Sequence, residues 1–169
     1  MSKLRTILAT MLLALAVPLV TATPANAVDD KTIPGSNCVP ANGNLTTGPR
    51  FALNFSIFLN TSATDALRAD CPIIKERIGR GIMGSSIFVV DNNPTLDVSC
   101  ELISVQVVAN AQISPLQGLT RFTSGSSPAV RRLNLGGLAA VSGIGSYWFI
   151  GCTLPPNSGI VSYYVDEQA

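Results

Sequence analysis

From residue 51 onward, hydrophobic and polar residues alternate in short runs with a period of two, the spacing of half-buried β-strands. In "RFALNFSIFL", Phe51, Leu53 and Phe55 fall on one face and Ala52, Asn54 and Ser56 on the other, which predicts one strand. The next segment, "TSATDALRADCPII", has two readings. Ser62 with Asp65 three residues on resembles a helix-capping box, and "DALRA" has helical propensity. Against that, Leu67, Ala69 and Cys71 alternate with Arg68 and Asp70, and Pro72 would end any helix. The alternation predicts a strand.

Two β-rich runs, "SSIFVV" and "VSCELISVQVV", flank "DNNP", a turn by composition, and read as a hairpin. In the second run Val98, Cys100 and Leu102 face one way and Asp97, Ser99 and Glu101 the other. Further strands are predicted over 119–123, 130–135, 146–154 and 160–165, most of them separated by Gly or Pro. Residues 28–50 read as an extended lead-in tied down by Cys38.

The chain closes on "YWFIGCTLPPNSGIVSYYVDE". Its two aromatic and β-branched runs are joined by "PPNSG", which predicts a second pair of linked strands, read as a hairpin. Val161, Tyr163 and Val165 are expected to face the core. Tyr147, Trp148 and Tyr164 are the candidate ligand or assembly surface, with a core position the stronger reading for Trp148. From Leu133 to Val165 no residue is charged. Asn134, Ser142 and Ser146 interrupt that stretch, and five glycines lie inside its "LGGLAAVSGIGSYWFIG" part, so it reads as a buried strand pair rather than a membrane span. A self-association surface is the second reading.

Together these patterns give an all-β fold: an antiparallel β-sandwich, jelly-roll or immunoglobulin-like, of about eight strands. No repeat of 20–50 residues is visible, which argues against solenoids and propellers.

The first 27 residues have a different character. Lys3 and Arg5 precede an apolar run, and Ala25 and Ala27 give the A-x-A spacing of a signal-peptidase site. The apolar run is short for a membrane span, so a cleaved signal peptide (1–27) is expected rather than an anchor. Residues 28–169 would then form a single secreted or periplasmic domain, with no stable membrane span after cleavage. Losing Lys3 and Arg5 leaves nine basic against ten acidic residues. Such a balance supplies no field for nucleic acid. The clusters Lys75, Arg77, Arg80 and Arg131, Arg132 read as solvated faces.

An even number of cysteines in an exported chain indicates disulfides. Cys38 and Cys71 each lie near a proline, in "NCVP" and "DCPI". Cys100 and Cys152 share apolar settings, "VSCEL" and "IGCTL". Strands with matching patterns make plausible neighbours, so the favoured bridges are Cys38–Cys71 and Cys100–Cys152. A zinc site would need closely spaced ligands, whereas here the nearest cysteines are 29 residues apart.

The chain has no histidine, which excludes Ser-His-Asp and Cys-His nucleophilic sites and H-E-x-x-H zinc sites. No phosphate-binding glycine loop is present. Asp91, Asp97, Glu101, Asp166 and Glu167 leave carboxylate catalysis formally open, but nothing singles out a pair. "DNNPTLD" resembles a calcium loop without its central Gly and final Glu, and reads as a turn. "TSGSSP" at 123–128 has no base partner in sequence and reads as a loop. Sequons occur at Asn44, Asn54 and Asn60 at about the chance frequency.

The series "NCVP … CPI … VVDN … VSCEL … YWFIGCTLPPNSGIVSYYVDE" resembles small exported proteobacterial proteins with four cysteines and no assigned function. The resemblance implies a structural framework and carries over no functional residue. The expectation is a protein without enzymatic activity or cofactor, with a structural or binding role. A fimbria-like assembly subunit or a carbohydrate-binding module is the alternative, with self-association or a surface glycan as partner.

Overall fold

The computed structural model describes residues 29–41, 51–54, 56–74, 76, 80–108, 112–139 and 145–167. The signal-peptide segment, the sequon at Asn44, and Phe55, Lys75 and Arg77 lie outside them. In chain order the strands are β1 (Asp29–Pro34), β2 (Val39–Pro40), β3 (Phe51–Asn54), β4 (Ile57–Asn60), β5 (Leu67–Ile73) and β6 (Ile82–Asp91). They continue with β7 (Ser99–Val108), β8 (Gln112–Gln117), β9 (Arg121–Phe122), β10 (Ser127–Asn134), β11 (Tyr147–Leu154) and β12 (Gly159–Glu167). A single 3-10 turn, Gly35–Asn37, separates β1 from β2.

These strands form two antiparallel sheets. The first runs β10-β6-β12-β4-β3, with β1 also paired to β12; the second runs β2-β5-β11-β7-β8, with β9 also paired to β7. The eight main strands, β4 to β8 and β10 to β12, nearly alternate between sheets as the chain proceeds. Only β7 and β8 are consecutive neighbours in one sheet. That is a jelly-roll arrangement rather than the immunoglobulin one, in which at least half of the consecutive strand pairs share a sheet.

Alternation explains which face each strand buries. Leu67, Ala69, Cys71 and Ile73 of β5 point inward, as do Cys100 and Leu102 of β7 and Trp148, Ile150, Cys152 and Leu154 of β11. From the other sheet come Phe58, Ile87, Val89, Ile160, Tyr163 and Val165. The uncharged stretch is thereby explained: β11 and β12 are the central strands of the two sheets, each paired on both sides.

Both disulfides form as expected, and both join neighbouring strands of the second sheet. Cys100 and Cys152 are direct register partners, with Cα atoms 4.2 Å apart. Cys38 adjoins β2 and meets Cys71 of β5, Cα atoms 4.0 Å apart. The sheets are therefore held to each other by the core and not by sulfur.

Four sequence expectations are corrected. The run from Phe51 is not one strand: Asn54 of β3 pairs antiparallel with Ile57 of β4, and Ser56, just before β4, has φ +70°. The lead-in is not merely extended, because β1 pairs with β12 along its whole length. β8, unmarked in the alternation, lies at a sheet edge, where Pro115 breaks no central ladder. Neither expected hairpin exists, since the "DNNP" and "PPNSG" segments carry the chain from one sheet to the other.

The physical reason for those crossings is a buried carboxylate. Asp91, fully buried, accepts hydrogen bonds from the backbone N–H of Asn93 (3.1 Å) and Val98 (3.2 Å). It also accepts from the hydroxyls of Ser158 (3.1 Å) and Thr123. One side chain thus ties both crossings together. Asn60 supports the second: its Nδ2 donates to the carbonyls of Asp65 and Leu154, 2.9 Å each. That places the Asn60 sequon in the interior, 1% exposed. Asp97, at the far end of the "DNNPTLD" segment, is exposed and accepts from the N–H of Gly125 at 3.0 Å. Ser62 Oγ accepts from the N–H of Asp65 at 2.9 Å, so the capping chemistry seen in the sequence closes a turn and starts no helix.

Candidate functional site

The outer face of the second sheet departs from the polar pattern usual for a solvated antiparallel sheet. Its three central strands lie in full register. Thr153 of β11 stands between Arg68 of β5 and Ser99 of β7; Gly151 stands between Asp70 and Glu101; Phe149 stands between Pro72 and Ile103. Tyr147 pairs with Val105 one row further on. Because β-strand side chains alternate, all of these share the face opposite the disulfides.

The aromatic end of this face is preorganised. The Tyr147 and Phe149 rings stack with centroids 6.1 Å apart and planes at 25°. Ile103 and Val105, their cross-strand partners, are 3% and 4% exposed although they belong to the outer face. Tyr147 itself is 50% exposed, leaving part of the ring open to solvent.

The polar end surrounds Gly151. Arg68 reaches toward two carboxylates, with Nη2 3.7 Å from Glu101 and Nε 3.9 Å from Asp70. Both separations exceed normal hydrogen-bond length, so the guanidinium donors are not saturated by these acids. Thr120 Oγ1 lies 3.5 Å from Glu101 Oε2. Asp70 Oδ1 is buried and accepts no hydrogen bond among the described residues. Burial raises the Asp70 carboxyl above its ordinary value, and the Arg68 guanidinium offsets part of that rise.

Gly151 lets neighbouring side chains close over β11. A Cβ there would lie 3.0 Å from Ile103 Cδ1, 3.4 Å from Arg68 Nη2 and 3.5 Å from Phe149 Cε2. Beside it lies a hollow of about 250 Å³, lined by Arg68, Glu101, Thr120, Gly151 and Thr153 among others. The arrangement offers aromatic surface beside donors and acceptors of both charges. It suits a ligand that is apolar on one face and rich in hydroxyls at its edges.

The three aromatic residues singled out in the sequence do not come together. Tyr147 is on this face. Trp148 is 1% exposed in the core and presents no ring to a ligand, as the stronger of its two readings had it. Tyr164 lies on the outer face of the first sheet, on the opposite side of the molecule. Sequence reasoning missed Phe149, Arg68 and Gly151. The parity of "YWFIGCTL" held the signal: Cys152 must face inward to form its bridge, so Trp148 and Ile150 do too, and Tyr147, Phe149 and Gly151 face out.

The five acids considered for catalysis are dispersed. Asp91 is enclosed between the two crossings. Glu167, 2% exposed, is paired with Lys31 at 3.1 Å. Glu101 and Asp166 are on different sheets. Among the described residues no three His, Cys, Asp or Glu side chains gather as metal ligands. Among the same residues, no helix is long and apolar enough to cross a membrane.

No protein-family model matches the chain, and no curated protein matches it by sequence. Among solved structures it is similar to the CBM22-1–GH10 modules of endo-1,4-β-D-xylanase 10B from Clostridium thermocellum, complexed with xylohexaose. There the TM-score is 0.50 at 11% identity, over 81% of this chain and 27% of that one. It is also similar to the xylan-binding module CBM86 from Roseburia intestinalis, with TM-score 0.46, 10% identity and coverage of 82% and 96%. A third is the CBM36-1 domain of a multidomain xylanase from the hindgut metagenome of Trinervitermes trinervoides, with TM-score 0.46, 9% identity and coverage of 83% and 98%. At such identity the first similarity shows a shared β-sandwich fold, and this chain spans about a quarter of that protein's length.

Proposed function

We propose that the chain is an exported, non-catalytic β-sandwich that binds a neutral glycan on the outer face of its second sheet. The observation that carries this reading is the stacked Tyr147–Phe149 pair on the same face as the Gly151 hollow. Aromatic faces are electron-rich and accept the polarised C–H groups of a sugar ring, while Arg68, Glu101, Thr120 and Thr153 offer donors and acceptors to its hydroxyls. Tyr147 to Thr153 covers about 20 Å of strand, enough for several sugar units in a row. Arg68 lies between two carboxylates, so the hollow is no site for an anion, and a neutral chain suits it better. Export through residues 1–27 and a place among small exported proteobacterial proteins belong to the same reading, and the two disulfides support an oxidising compartment.

The assembly reading loses its main support. The uncharged C-terminal strands are central and already paired on both sides, so they offer no free edge for strand addition.

Titration calorimetry of the processed protein against xylan, mannan and cellulose oligosaccharides tests the proposal. At least one neutral oligosaccharide should bind. Phe149→Ala should weaken it about tenfold, equivalent to about 1.4 kcal/mol, and Thr120→Ala, which removes an exposed hydroxyl from the lining of the hollow, should weaken it several-fold with the thermal melt little changed. Absence of binding across the panel, or equal affinity in both variants, would sink the reading.

A further inference from the structure

The outer face of the first sheet carries a separate arrangement. Arg132 of β10 stands directly across from Phe88 of β6, and Phe88 across from Ser162 of β12. The adjoining row holds Ser86, Tyr164 and Thr32. Thr32, Phe88, Arg132, Ser162 and Tyr164 line a hollow of about 450 Å³. A register shift in β12 between Ile160 and Ser162 makes this possible. Ile160 is buried, yet so are Tyr163 and Val165, so the extra residue changes the parity and turns Ser162 and Tyr164 outward.

Arg132 is held ready rather than neutralised. Its Nε donates to Ser86 Oγ at 3.0 Å, and Ser86 is 1% exposed. Its guanidinium carbon lies 6.0 Å from the centre of the Phe88 ring. These contacts fix the plane of the fork while leaving its two terminal amino groups free of carboxylates among the described residues. Arg68 on the opposite face differs, having acids at 3.7 and 3.9 Å. The acids of the Arg132 face are Asp30 and Asp166, which pair with each other across β1 and β12. Asp166 is two residues beyond Tyr164, roughly 7 Å along the strand from the row that Arg132 reaches through Ser86. Asp30 already accepts a hydrogen bond from the Tyr164 hydroxyl at 2.5 Å.

We propose that this hollow binds a sugar carrying a carboxylate, a uronic acid unit. The planar carboxylate pairs bidentately with the terminal amino groups of Arg132, a geometry that guanidinium favours and an ammonium cannot reproduce. The sugar ring lies against Tyr164, and the hydroxyls of Thr32 and Ser162 reach its edge. The site is independent of the Tyr147–Phe149 face, since the two lie on opposite sides of the sandwich.

The test is titration calorimetry of the processed protein with trigalacturonate, neutral xylotriose and a sulfated trisaccharide, which shares the negative charge without the planar group. Trigalacturonate should bind more tightly than either, with affinity falling as salt rises. Arg132→Gln should weaken it at least tenfold, Arg132→Lys several-fold, and Ser86→Ala to an intermediate degree by freeing the fork. Phe149→Ala should leave trigalacturonate binding intact, which separates this site from the neutral-glycan face. Thermal melts confirm that each variant is folded. Equal affinity in Arg132→Gln, no preference over xylotriose, tighter binding of the sulfated sugar, or loss of binding in Phe149→Ala would each overturn the assignment.

Discussion

Tyr163 and Tyr164 are neighbours with opposite surroundings, and both hold their protons unusually firmly. Tyr163 is buried and donates to the Pro72 carbonyl at 2.7 Å; burial pushes its hydroxyl up to about 12. Tyr164 faces outward and is pushed up to about 12 chiefly by its hydrogen bond to Asp30. For both, the folded value stands above the ordinary 10. Folding therefore binds these protons more tightly than the unfolded chain does. The associated stability is complete below about pH 10 and is lost as pH rises through 12. Phenolate absorbance from these two residues should appear only near pH 12, together with loss of the β-sheet signal, and Tyr163→Phe should remove part of that alkaline sensitivity. Titration of both near pH 10 in an intact fold would contradict the buried, hydrogen-bonded geometry. Adjacent residues diverge elsewhere too. Arg131 donates from Nη1 to the carbonyls of Ser124 and Gly125, at 2.6 and 2.8 Å, and so organises the "TSGSSP" loop. Arg132 instead lies over Phe88. Neither is the plain solvated charge that their clustering suggests.

At the scale of elements, the two crossings between sheets depend on one side chain. Asp91 ends β6, and its four hydrogen bonds reach both crossings and the segment after β9. A buried carboxylate stripped of its partners, or partners stripped of their carboxylate, is costly, because each unsatisfied buried group forfeits its hydration. Asp91→Ala leaves two N–H groups and two hydroxyls without that acceptor and should cost about 3–5 kcal/mol in chemical denaturation. Thr123→Val removes one donor and should cost about 1 kcal/mol. A loss below about 1 kcal/mol for Asp91→Ala would mean that water or a rearranged loop replaces the network. Alternation located most of the long strands and which face of each is buried, because period two is a property of the strand itself. It could not distinguish a hairpin from a crossing: "DNNP" and "PPNSG" have turn composition in either case, and the difference lies in which distant strand supplies the ladder.

For the molecule as a whole, the disulfides and the core have separate duties. Each bridge staples neighbours within the second sheet, closing segments with sequence separations of 33 and 52. In the chain-entropy model, loops of this size contribute about 4 kcal/mol each by restricting the unfolded chain. The two loops do not overlap, so their contributions should add approximately. Cys100→Ser/Cys152→Ser and Cys38→Ser/Cys71→Ser should each lower unfolding free energy by about that amount while preserving sheet content, because neither bridge joins the sheets. Loss of all β-structure on reduction, under conditions where the oxidised protein is stable by well over about 8 kcal/mol, would show that the core alone cannot hold the sandwich. The two outer faces each carry aromatic residues beside an arginine, Tyr147 and Phe149 with Arg68 on one and Phe88 and Tyr164 with Arg132 on the other.

The order of residues was enough to establish an all-β chain and the inward parity of most of its long strands, because both follow from local alternation, and matching environments favoured the cysteine partners without choosing among the three connectivities. It was also enough to exclude histidine chemistry, which is a matter of composition. The choice of jelly-roll over immunoglobulin topology came only with the fold, since it depends on pairings between segments far apart in the chain. So did the interior place of Asn60 and the role of Asp91, whose partners come from three separate segments. The two proposed ligand faces belong to the same category. Each is assembled from single residues on three or four strands, brought into one row by register and, at Ser162 and Tyr164, by one extra residue in β12 that no periodicity announces.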